Sequence, residues 1–141
     1  MGVGNELNGD DAAGVAVIRA TRRALDPVEP ILWIEAGLAP ESFSGPVCRY
    51  KPDLLLMIDA AQLGLNPGQI AWIGLEEIDG ISAFTHGLPL SLLARYVISE
   101  TGCQFGMLGI QVAQTEFDQP ISGVVSRSVE RVVGALCTFV K

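Results

Sequence analysis

The sequence predicts an α/β protein, a three-layer α/β/α arrangement around a twisted, mostly parallel (mixed) sheet. Two observations carry this expectation. The apolar runs Leu54-Leu-Leu-Met-Ile58 and Phe105-Gly-Met-Leu-Gly-Ile110 show no alternation, as suits strands covered on both faces. Around them lie stretches whose apolar residues recur at helical spacing, so strands and helices take turns along the chain.

The elements follow in order. Met1-Gly-Val-Gly-Asn5 reads as a loop with no strand before it. Asp10 and Asp11 stand at the mouth of a helix, and one of them is expected to be its N-cap. In that helix Val15, Ile18, Arg22 and Leu25 separate an apolar side from a charged one, and Pro27 ends it. Ile31-Leu-Trp-Ile34 reads as a short buried strand. Pro40 can open a short helical segment, which Gly45 and Pro46 strain. The clearest strand runs from Leu54 and ends at Asp59. Asn66-Pro-Gly68 marks a turn, with a strand from Gln69 to Ile73 after it. Pro89 suits the first turn of a helix with Leu92, Leu93, Tyr96 and Val97 on its apolar side, and Gly102 lies where a C-cap glycine belongs. The last helix runs from Gly123 to Val140, with Val125, Val129, Val132, Leu136 and Val140 at helical spacing. No repeat or linker divides the 141 residues, so one domain, 1–141, is expected.

Composition narrows the functions. With 49% hydrophobic and 18% charged residues the chain is globular, not disordered. A net charge of -7 repels phosphate backbones, which argues against nucleic acid as a partner. No apolar run reaches the roughly 18–20 residues of a membrane helix, and no signal peptide is visible, so a cytoplasmic protein without membrane insertion is expected. Cys48, Cys103 and Cys137 match no zinc spacing and read as free thiols.

In sheets of this class ligands bind beyond the carboxyl ends of the strands. Asp59 stands there, either as a functional carboxylate or as an acceptor for the loop that follows. Of the pair Asp10 and Asp11, one acid is left over after capping. His86 is the only histidine and lies in the loop Ser82-Ala-Phe-Thr-His86-Gly-Leu-Pro89, where it is either solvated or a ligand. One histidine rules out HExxH chemistry, and no G-x-S-x-G elbow is present. Gly2-Val-Gly4 is not a dinucleotide fingerprint, because Leu7 takes the third glycine position. Two carboxylates and an imidazole would make an incomplete oxygen and nitrogen metal site, acceptable to nickel or zinc and open to water or substrate.

Several motifs together resemble a known family. Gly2-Val-Gly-Asn-Glu-Leu-Asn-Gly-Asp-Asp-Ala-Ala-Gly14 is similar to the opening signature of the [NiFe] hydrogenase maturation endopeptidases. Ala39-Pro-Glu-Ser42, Ile58-Asp-Ala60, Gly64-Leu-Asn-Pro-Gly68, Thr85-His86 with Pro89-Leu90, and Leu108-Gly-Ile-Gln111 resemble the branch that matures hydrogenase 3, the formate-hydrogenlyase-type enzyme. The resemblance implies a phosphorylase/hydrolase-like fold and an aspartic-type endopeptidase that removes a C-terminal extension from the large-subunit precursor after nickel insertion. It implies Asp11, Asp59 and His86 as the metal-binding and catalytic residues. Nickel, carried by the precursor, would be the recognition element, and zinc or another divalent ion could occupy the same residues. A metal there could polarise the scissile carbonyl or lower the pKa of a water. A monomer is expected.

Two departures accompany the resemblance. Family members have a hydrophobic strand before the Gly-x-Gly-Asn loop, whereas here only Met1 precedes Gly2, so the first strand is expected to be truncated. Such a strand would be interior, and its loss would leave its neighbours with unpaired backbone groups. Gly45-Pro46 interrupts a segment that is helical in the family. Two other functions use the same residues differently: a non-catalytic nickel-sensing, precursor-binding module, or another α/β hydrolase working through Cys103 and His86.

Overall fold

The computed structural model describes residues 1–26, 30–81 and 88–140. Its spine is a pair of strands, β3 (Leu54–Ala61) and β5 (Gln104–Gln111), paired in parallel along their whole length from Leu54↔Gln104 to Ala61↔Gln111. On one side of β3 come β1 (Gly2–Val3) and β2 (Glu35–Gly37), both parallel; beyond β5 lies β4 (Ile70–Ile73), antiparallel. The order is β2-β1-β3-β5-β4, a mixed sheet as expected.

Helices cover both faces, because successive strand residues point to opposite sides. Ile58, Ala60 and Ile110 meet α1 (Ala13–Ala24) and α5 (Gly123–Val140) through Val17, Ile18, Val125 and Val129. Leu55, Met57 and Met107 meet α2 (Ser44–Tyr50), α3 (Leu75–Ile78) and α4 (Leu90–Thr101) through Val47, Ile78, Leu93 and Val97. Helix α1 sits so close to the sheet that a Cβ on Gly14 would stand 2.2 Å from the Ile58 carbonyl oxygen and 2.4 Å from that of Val3. Only glycine permits that approach.

Several expectations need correction. Residues 31–34 form no strand; β2 begins at Glu35, where β1 supplies a partner through Gly2↔Glu35. Gly45 and Pro46 do not break α2, because they occupy its first turn, where a missing N–H costs nothing. On α4, Leu93 and Val97 are buried as expected, whereas Leu92 and Tyr96 are half exposed. Gly102 caps that helix in the left-handed conformation, as its position predicts.

The short β1 is interior, as the resemblance implies. Behind it lies a cavity of about 520 Å³ lined by Ile31, Trp33, Leu54, Leu56 and Leu136 among others. The Met1 ammonium is buried beside it and donates to the Leu56 carbonyl oxygen at 2.8 Å. Burial pulls its pKa down from 8.0 to about 5. Among the described residues no helix is long and apolar enough to cross a membrane.

Candidate active site

Four parallel strands end at one edge of the sheet, and the predicted carboxylates gather there. Asp59 lies opposite Gly109 in the β3–β5 ladder and is only 1% exposed. It is not the last residue of its strand as expected, since Ala60 and Ala61 continue the pairing with Ile110 and Gln111. One carboxylate oxygen, Oδ1, accepts the Ala60 N–H at 2.8 Å.

The two adjacent acids have divided their work. Both lie in a 3-10 turn, Gly9–Ala12, which packs against β3. Neither is the N-cap of α1, a position held by Ala12, because the turn delays the helix by a few residues. Asp10 is fully buried and binds a distant loop. Its Oδ2 accepts the N–H groups of Ala113 and Gln114 at 2.7 and 3.0 Å, and the Ser122 hydroxyl at 3.0 Å. Its Oδ1 accepts the Ser122 N–H at 2.6 Å. Asp11 is half-buried, and its Oδ2 accepts the Asn5 N–H at 2.9 Å. Gly4, at φ +131°, lets the chain pass against the Asp11 carbonyl: a Cβ there would stand 1.8 Å from that oxygen. The leftover acid is therefore Asp11, and both it and Asp59 are engaged by further interactions of the fold.

His86 falls within residues 82–87, outside the described residues. Helix α4 starts soon after, at Leu90 with Pro89 in the cap position, and runs back to the amino end of β5. Its start is thus on the carboxylate side of the sheet. Among the described residues no three His, Cys, Asp or Glu side chains are grouped to hold a metal. Asp11 and Asp59 are the described part of the predicted set.

Two further residues at this edge carry roles that the sequence reading did not assign. Gln111, 3% exposed, accepts the Leu63 and Leu65 N–H groups at 2.7 and 3.2 Å. Its amide donates to Gln62 Oε1 and the Val112 carbonyl, so it shapes the loop after β3. Glu41, in the 3-10 turn Pro40–Phe43, has one buried carboxylate oxygen with no hydrogen-bond partner among the described residues. The only signal for either was its place in a short motif. Cys103 is buried at the opposite edge, next to Gln104, which pairs with Leu54. Asp59 lies five residue steps along β3 from that level, roughly 16 Å at the usual rise.

A family profile described as hydrogenase maturation protease matches residues 15–139. The chain belongs to this family. The matched span contains Asp59 and His86 and begins just after Asp11. Hydrogenase 3 maturation protease of Escherichia coli K12 is 34% identical over 131 residues, spanning 92% of this chain and 82% of that one. The crystal structure of the [NiFe] hydrogenase maturation protease HycI from Thermococcus kodakarensis KOD1 superposes with a TM-score of 0.90 at 30% identity, covering 99% and 88% of the two chains. The solution structure of the endopeptidase HycI from Escherichia coli gives 0.85 at 32% identity, covering 98% and 87%. The hydrogenase maturation protease described here is accordingly a peptide-bond hydrolase.

Proposed function

We propose that this protease removes the C-terminal extension of a [NiFe] hydrogenase large-subunit precursor after nickel insertion, and that Asp11, Asp59 and His86 contact the nickel the precursor carries. The observation that carries this reading is the Asp59 carboxylate, held almost without solvent contact at the edge where the Asp11 turn packs against β3. Burying a charge is costly, and a fold retains one there when it is paired or serves a ligand. The match to hydrogenase 3 maturation protease supports the substrate class. A set of two carboxylates and one imidazole leaves coordination positions for groups of the precursor. The enzyme then needs no tightly held ion of its own, because the ion arrives with the substrate.

Cys103 lies at the opposite edge of the sheet from Asp59 and takes no part in a site centred on that carboxylate. The deciding experiment is mass spectrometry of nickel-loaded and nickel-free precursor after incubation with the protein. Loss of one C-terminal peptide from the loaded form alone is expected. Equal cleavage of both forms would remove nickel from recognition. Binding without cleavage would make the chain a precursor-binding module.

A further inference from the structure

The edge of the sheet that carries the carboxylates also carries an unusual surface. Every parallel strand is followed by a loop there, and each of these loops exposes one large apolar side chain. They are Leu7 after β1, Leu38 after β2, Leu65 after β3 and Phe117 after β5, exposed by 58, 56, 40 and 72%. Single exposed apolar residues are ordinary; one on each of four adjoining loops around one site is not.

Hydrogen bonds join the loops into a continuous rim. The Gly4 N–H donates to the Gly37 carbonyl at 3.0 Å, linking the loops after β1 and β2. The Asp118 N–H donates to the Leu7 carbonyl at 2.7 Å, which brings the Phe117 loop beside Leu7. The Leu65 N–H reaches Gln111 at the end of β5. The Phe117 loop is held from below by the buried carboxylate of Asp10. At its tip Asp118 takes φ +59°, a conformation uncommon for a residue with a side chain. A fold that holds the backbone beneath an exposed aromatic side chain in this way lowers the ordering cost of binding.

Charge defines what fits. Residues 4–8, 38–43, 62–69 and 112–122 contain no Lys or Arg, and exposed Glu116 and Asp118 flank Phe117. We infer that Leu7, Leu38, Leu65 and Phe117 are the docking rim for the protein substrate, and that they grip a segment of the precursor bearing apolar side chains beside Lys or Arg. Apolar anchors would supply most of the affinity and the acids would steer and orient. This rests on the proposed precursor specificity and adds to it the residues that select the substrate.

The test separates docking from cutting. In an Asp59→Asn background, affinity for purified nickel-loaded precursor is measured for Phe117→Ser and Leu7→Ser, with Phe139→Ser, on the far end of α5, as the equally exposed control. The rim variants are expected to bind at least about tenfold more weakly, with the control unchanged. Affinity should also fall as salt rises. Unchanged affinity in both rim variants, or equal loss in the control, would overturn the rim; if the Asp59→Asn protein itself does not bind, the same comparison is read as KM for processing in the unmodified background, with the same two outcomes overturning it. Cleavage by the unmodified protein is read in parallel, so a failure of the proposed peptidase activity is seen independently of the rim.

Discussion

Asp10 and Ser122 are 112 residues apart in sequence, yet one carboxylate takes both the backbone N–H and the hydroxyl of that serine, at 2.6 and 3.0 Å. With Ala113 and Gln114 it closes four hydrogen bonds on one buried group. Such charge-assisted bonds are among the stronger ones, and the carboxylate that accepts them has no contact with water. Asp10→Ala should cost at least about 3 kcal/mol in urea unfolding. Asp10→Asn should also destabilise, since its NH2 group would face N–H donors. A loss below about 1 kcal/mol in both would show that the loop is held by something else.

Asp59→Asn is the sharpest test of the site. The amide matches the carboxylate in shape but not in charge, so the fold should persist by circular dichroism. Processing of nickel-loaded precursor should drop at least about a hundredfold. Normal cleavage by the variant would remove Asp59 from the mechanism.

Thiol chemistry should leave activity alone. Cys103 is buried at the edge away from the carboxylates. Burial, then the neighbouring charge of Glu100, raises the Cys48 thiol above its usual pKa and lowers its reactivity. Iodoacetamide treatment is expected to spare processing. A loss of activity that tracks alkylation of Cys103 would favour a thiol mechanism.

The Met1 ammonium makes a pH prediction. Its folded pKa, about 5, lies below its ordinary value of 8.0. Between those values the unfolded chain binds a proton that the folded chain refuses. Stability from this group therefore rises as pH goes from 5 to 8 and is least below 5. The span is on the order of 4 kcal/mol, at about 1.4 per pKa unit. An extension of about three apolar, β-forming residues ahead of Met1 would remove the ammonium and enter the cavity. It should flatten the profile and raise the Tm by about 5 °C or more. Identical melts with and without the extension would count against the cavity as a weakness.

Much of this was legible in the residues. The unbroken apolar runs at Leu54–Ile58 and Phe105–Ile110 announced the spine, because only strands covered on both faces read that way. Asp59 was legible as an interruption of such a run. Residues 31–34 misled, since they line the cavity and only the Ile34 carbonyl bonds to β1. The separate duties of Asp10 and Asp11 were not legible, because the loop that Asp10 binds lies more than a hundred residues downstream. Gln111 was hidden for the same reason: its partners belong to another strand's loop.

The sheet is tied unevenly across its width. The β3–β5 ladder is eight residues long, whereas β1, the strand that pairs with β2, is two. Free energies of opening follow such differences in local pairing. The protein thus has a stiff half and a loose half, divided at β1. Amide protons of β2 should exchange first and those of Met57 and Met107 last. Glu41 sits on the loose side and Asp59 on the stiff one, so the rim that must accommodate a bulky precursor can yield at Leu38 while the buried carboxylate stays still.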